Sequence, residues 1–338
     1  MNYWLFVGGA LIVLFIFMDA LWTTLWSEGG AGPLTDRIST IIWKGFKKVA
    51  GAGGSMNHFL LSLAGPVVLV VTVVTWLLLM WTGMVMMFGA HPDAVVVALT
   101  KNPGDLTDRI WFVLFTTTTV GNGGFAPNTD FFQVLAGFIG ASGMAMMTLA
   151  ITYSFQVLSA VVNKRTFASQ VLSLGETTSE LVRALQHAPP SSIATQLSSM
   201  GERLGSITEQ HKAYPVLHYF HPSDRHRSTA CAVAAIDEAL RIYCTGLSDD
   251  DIVVDTSVFQ PLRRTIGTFL EELRESYLVG TEESPPRADI GEMRQQGADI
   301  SHPQRVHEAA EEEDERRKLL EGLVSYDGWQ WDDVVQRT

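Results

Sequence analysis

Residues 116–129 read Thr-Thr-Thr-Thr-Val-Gly-Asn-Gly-Gly-Phe-Ala-Pro-Asn-Thr. They lie between long apolar runs, where a stretch of threonine and glycine has no use for lipid. Non-helical backbone at membrane depth is tolerated only inside protein or along a water-filled path. The chemistry these residues offer is cation ligation. Backbone carbonyls can replace the water shell of an ion without presenting a full charge, so the ion can also leave. Aiming successive carbonyls one way needs unusual backbone angles, which Gly121 and Gly123 permit. The Thr119 hydroxyl can add a ligand at the inner end.

Such a loop needs helices to hold it. Three runs are long enough to span a bilayer, which takes about 20 apolar residues: 3–26, 59–89 and 131–162. The first lacks the basic start and cleavage site of a signal peptide, so it reads as a retained helix. A short amphipathic segment, Asp108 to Thr117, precedes the loop. Arg37, Lys44, Lys47 and Lys48 follow the first run, and Lys164 and Arg165 follow the third. The positive-inside rule then places the C-terminal half in the cytoplasm, and the N-terminus and the loop outside. Neither of the first two spans carries an arginine ladder of the voltage-sensing kind.

Thr119-Val120-Gly121-Asn122-Gly123-Gly124, with Thr118 before it and Pro127 after it, resembles the filter of the potassium-channel superfamily. There the pattern is Thr-Val-Gly-Tyr-Gly-Asp followed by proline. The resemblance covers about residues 57–165. It implies a two-helix pore module of prokaryotic type, here with an extra N-terminal helix. It also implies that the filter is formed by Thr118, Thr119, Val120, Gly121, Asn122 and Gly123, and that Gly143 is a gating hinge in the inner helix. Potassium, or sodium, would be the permeant ion, with no organic cofactor and no metal site beyond the filter carbonyls. One loop cannot ring an ion, so a homotetramer about one axis is expected. Asn122 stands where the family has its aromatic, and Gly124 where it has its acid. Both departures point to moderate selectivity. Asp105, Asp108 and Asp130 are placed near the outer mouth, where they can concentrate cations.

The expected architecture is an all-α membrane protein: three transmembrane helices with a re-entrant pore loop, plus an all-α cytoplasmic domain. Residues 1–56 form the first helix and a basic amphipathic helix on the inner leaflet, with Trp43 and Phe46 at the interface; an ordinary cytosolic helix packed on protein is the alternative. Residues 57–165 form the pore module, 166–280 a helical cytoplasmic domain, and 281–338 a charged linker and helical tail. Helices are expected over 166–187, 191–213, 225–247 and 255–279, the last broken or kinked by Pro261. A solvated helix is expected over 308–321. Residues 1–163 hold six Lys/Arg and seven Asp/Glu, whereas the remainder holds 18 and 29 and carries almost all of the net charge of −12. This acidic half argues against nucleic-acid binding. Its ligand or protein regulator is not identified by any motif: no dinucleotide fingerprint and no cyclic-nucleotide roll is present.

Four further features stand out. Asp19 is an acid inside the first span, read as a structural hydrogen-bonding group, with ion sensing or proton coupling as the alternative. His187, His211, His218, His221 and His226 read as a polar interhelix corner, with metal binding or acid sensing as alternatives. Trp329 and Trp331 dock on the body or on a partner. Cys231 and Cys244 read as reduced thiols. The expected function is a tetrameric, potassium-channel-like pore in the cell (inner, plasma) membrane, passive rather than enzymatic and regulated by its cytoplasmic domain. A non-selective sodium/potassium channel and a non-conducting membrane-anchored signalling or scaffold protein are the alternatives.

Overall fold

A computed structural model describes residues 1–26, 30–51, 57–121, 123–246 and 258–335. Asn122, the acidic run 248–251 and Asp255 lie outside the described residues. The described chain is helical apart from one two-stranded ribbon, and three helices are long and apolar enough to cross a membrane. It divides into two compact units: 1–45, 65–158 and 213–219 form the first, and 46–64, 159–212 and 220–338 the second.

In the first unit, α1 (Tyr3–Leu25) packs on α4 (Ala64–Gly89) through two glycines. A Cβ on Gly83 would lie 2.7 Å from the Gly9 carbonyl, and one on Gly9 would lie 3.0 Å from Met86 and Met87 side chains. Small residues let helix backbones approach where lipid offers no hydrophobic driving force. A third helix, α2 (Pro33–Ala50), is fixed to both by Asp19. The Asp19 carboxylate accepts hydrogen bonds from the Leu34 backbone N–H (2.8 Å), the Thr35 hydroxyl (2.7 Å) and the Trp76 indole (2.9 Å). It therefore caps α2 from another helix, where an anion suits the exposed N–H groups. This is the structural role expected of it. Trp43, expected at the lipid interface, is instead buried against Tyr219, because α2 turns its Thr35–Ser39–Trp43 face inward.

The second unit is built around α9 (Thr229–Gly246), buried along almost its whole length. Around it pack α7 (Thr178–His187), α10 (Gln260–Ser276), α12 (Pro303–Glu312), α13 (Asp314–Tyr326) and α14 (Asp332–Val335). Also present are α3 (His58–Ser62), α8 (Pro190–Ala213) and the short α11 (Ile290–Gln295). Three expectations are corrected here, and one alternative left open is resolved. The helix expected over 166–187 is two: α6 (Asp130–Leu172) runs on past the third span, and α7 begins after a break capped by Thr177. Pro261 does not kink a helix but sits in the first turn of α10, where its missing N–H costs nothing. The helix expected over 308–321 breaks at Glu313, and α13 is packed rather than solvated. The tail is docked on the body: Trp331 and Val334 are buried, and the Val334 carbonyl accepts the Thr178 hydroxyl at 3.3 Å.

Buried charge on α9 explains why an acidic chain can pack here. Arg317 donates to Glu238 (2.7 Å), which also binds Arg241, and Arg316 donates to both oxygens of Asp237 (2.8 and 2.6 Å). The five histidines singled out from the sequence scatter: His187 bonds the Arg183 carbonyl, His211 the Ile207 carbonyl, and His226 faces Asp224 and Glu176. Among the described residues no three His, Cys, Asp or Glu side chains converge as a metal site. Both cysteines are free, and burial pushes the Cys231 thiol up to about 12.

Candidate pore site

The candidate site belongs to the first unit. Its pore helix, α5 (Leu106–Thr117), opens with a capping box: the Asp105 carboxylate accepts the Asp108 N–H at 2.8 Å, and Asp108 accepts the Asp105 N–H at 3.0 Å. Two of the three acids assigned to the outer mouth therefore also start the helix. Asp130, the third, is exposed in the first turn of α6. Arg109 anchors the same end of α5, reaching the carbonyls of Gly89 (3.4 Å) and Pro92 (3.1 Å). Phe112 packs on Phe88, which packs in turn on Phe132, so pore helix and both flanking helices share one aromatic seam.

At its other end α5 is closed by its own threonines. The Thr117 hydroxyl donates to the Val113 carbonyl (2.8 Å) and the Thr118 hydroxyl to the Leu114 carbonyl (2.7 Å). The chain then folds back, with the Gly121 N–H donating to the Phe115 carbonyl at 3.4 Å. Thr119 has φ 59° and Gly121 φ 81°. Positive φ is ordinary for glycine but strained for a β-branched residue, at a cost of about 1–3 kcal/mol. Backbone that alternates in hand over successive residues turns consecutive carbonyls to one side. Gly121 meets the sequence-based expectation, while strain at Thr119 carried no signal in the sequence. Thr119, Val120, Gly121 and Gly123 are exposed on the single chain, Val120 by 69%.

Beyond the loop, β2 (Phe125–Ala126) pairs antiparallel with β1 (Val96–Val97), Val96 opposite Ala126 and Val97 opposite Phe125. The Gly124 carbonyl accepts the Ala98 N–H at 3.0 Å. The C-terminal end of the loop, which lacks the acid at position 124, is thus held by main-chain hydrogen bonds. Two valines followed by a turn gave too short a pattern to reveal the ribbon. Gly143 lies on α6, which is continuous there, and faces Thr117.

A pore helix, a strained threonine–glycine loop after it and two spans around it define a pore-loop ion-channel module of the potassium-channel superfamily. Residues 71–160 match the family model described as "Ion channel". Over nearly its whole length the chain is 34% identical, across 339 residues, to a protein of Bacillus subtilis (strain 168) named "Uncharacterized membrane protein YdjJ". The match takes in 98% of this chain and 96% of that protein, and the chain belongs to the same family of membrane proteins. No solved structure matches it.

Proposed function

We propose that the chain is one subunit of a homotetrameric channel that passes potassium down its gradient. The observation that carries the reading is the pair of positive-φ residues, Thr119 and Gly121, two apart in an exposed loop after a pore helix. A single copy offers one strand of carbonyls, and fourfold symmetry would close the ring. Thr118, Thr119, Val120, Gly121, Asn122 and Gly123 form the filter in this reading, and Asp105, Asp108 and Asp130 collect cations at its mouth. The N-terminus and loop lie outside the cell membrane and the second unit in the cytoplasm, which follows from the placement of Lys and Arg. That unit regulates the pore, whose gating hinge is Gly143.

Selectivity is moderate in this reading, because Asn122 and Gly124 replace the bracing aromatic and acid. The β1–β2 ribbon supports the opposite tendency by stiffening the outer end. Purified protein in planar bilayers, recorded under bi-ionic potassium/sodium gradients, decides between them. A potassium-favouring reversal potential that disappears in Gly121→Ala supports the filter. A pore that ignores the difference between the two ions supports a non-selective channel. Absence of any current, with cross-linking that stops short of four subunits, overturns the channel and leaves a membrane-anchored scaffold.

A further inference from the structure

Two histidines from distant parts of the chain meet in the second unit. His58 opens α3, just ahead of α4, and His221 lies between α8 and α9. Nδ1 of His58 is 3.0 Å from Nε2 of His221, and the rings stack with centroids 5.2 Å apart. A contact of this length between two ring nitrogens requires one to carry hydrogen and the other to be bare. One shared proton therefore holds the pair together. Single protonation keeps the contact, because an imidazolium can donate to a neutral imidazole, whereas protonation of both rings sets two N–H groups and two positive charges against each other.

The surroundings fit such a contact. His221 is fully buried, and its Nδ1 lies 3.5 Å from Oδ1 of Asp327. The second Asp327 oxygen accepts the Ser228 hydroxyl at 3.4 Å. Burial opposes ionisation of Asp327, but His221, the charge of Lys164 on α6, and Ser228 outweigh it and hold the carboxyl below its ordinary value. Asp327 thus stays anionic where histidines titrate, while burial and His221 hold His58 below its ordinary value against the pull of Asp333 and Asp327. The charged groups acting on His58 besides His221 are Asp327 and Asp333, and Arg225 donates to the Asp333 main-chain carbonyl. The Trp329 indole lies flat on His58, with centroids 3.9 Å apart.

We propose that the His58–His221 contact is a proton-operated latch, closed by one shared proton and opened by a second, which ties α3 to the C-terminal tail and to the Lys164 segment of α6. Opening frees Trp329 and the tail from α3. The consequence for the gate rests on the channel reading above, but the latch itself does not.

The test uses the full chain in nanodiscs of zwitterionic lipid. Subtracting the emission of Trp329→Phe from that of wild type isolates Trp329, which an imidazolium in ring contact quenches. Titration from about pH 8 to about pH 5 brackets the ordinary histidine value of about 6.5. The expected result is a step in Trp329 emission below about pH 6.5 that is absent from His58→Gln and from His221→Gln, since glutamine keeps a hydrogen bond but does not titrate. His226→Gln, on the exposed neighbouring histidine, should retain it. In bilayers the same acidification should change open probability by about tenfold, the effect of one unit of coupling, and both latch variants should remove that response. No emission step in wild type, or a step that persists in either latch variant, overturns the latch. A correct emission step without any current leaves the latch standing and removes the channel reading, whereas current with an open probability indifferent to pH removes the link to the gate.

Discussion

Gly143 of α6 rests directly on Thr117, the last residue of the pore helix. A Cβ at position 143 would stand 2.6 Å from the Thr117 Cβ and 2.7 Å from its Cα and carbonyl oxygen. Van der Waals contact begins well beyond that, so hydrogen is the one substituent the site accepts. The hinge assigned to Gly143 rests on the freedom of glycine to bend, and its contact with Thr117 gives a second reason for glycine there. The helix that would move and the last residue of the pore helix are in backbone contact.

Gly143→Ala is therefore expected to displace the C-terminal turn of α5, changing the reversal potential as well as the open probability. Overpacking of this kind costs about 1–3 kcal/mol. Gly140→Ala is the control, because a Cβ there meets Thr116 at an ordinary 3.5 Å. Bi-ionic recordings of the two variants separate the roles: an unchanged reversal potential in Gly143→Ala would leave only the hinge.

What the sequence made legible was whatever repeats over many residues or depends on residue type alone. The three spans, the pore helix, the threonine–glycine loop and the helical second unit all follow from long apolar runs, turn chemistry and periodicity. What stayed hidden depends on contacts between residues far apart. Nothing near His58 in the chain announces His221, and Gly9 and Gly83 mark a helix crossing only once the helices are paired. The acidic stretch around α13 looked solvated because its charges outnumber its apolar residues. Their partners, Asp237 and Glu238, sit some 79 positions away on α9.

Asp19→Ala should destabilise the first unit. It would leave the Trp76 indole, the Thr35 hydroxyl and the start of α2 without their shared acceptor, at about 1–3 kcal/mol for each buried group left unsatisfied. Asp19→Asn keeps an acceptor oxygen and should fall between. Thermal melting in detergent measures both. A proton-coupling residue would behave differently, with Asn altering the pH dependence of current while leaving the melting temperature in place.

The β1–β2 ribbon predicts an effect at a residue that touches no ion. Ala98→Pro removes the N–H that binds the Gly124 carbonyl. A net hydrogen bond of about 1 kcal/mol corresponds to about a fivefold change in an equilibrium. The potassium-to-sodium permeability ratio should fall by about that factor if the ribbon holds the filter's outer end. Asn122→Tyr with Gly124→Asp, which restores the family pattern, should raise it. Equal ratios in wild type and Ala98→Pro would show that the outer end is braced elsewhere.

Acid should loosen the second unit through Asp237. Its carboxyl is desolvated, which by itself would raise its pKa, but the hydrogen bonds and charges of Arg316 and Arg263 outweigh this and hold it below the ordinary value. A folded-state value below the unfolded one stabilises the protein above the ordinary carboxylate range, and that contribution is lost as pH falls through the folded value. The melting temperature should therefore owe nothing to this group's titration between about pH 8 and about pH 5, and should drop below about pH 4. Arg316→Met leaves Asp237 buried with Arg263 alone, 3.4 Å away, and should cost about 3 kcal/mol at neutral pH. The gap between variant and wild type should narrow as the solution is acidified, because protonation removes the charge that Arg316 serves. Asp237→Leu combined with Arg316→Met should recover most of the loss, since apolar packing can replace a buried ion pair and Arg263 keeps Glu313 at 2.9 Å. Melts followed by circular dichroism across pH test all three. A double variant no more stable than Arg316→Met would mean that Asp237 is held for some purpose other than pairing with Arg316.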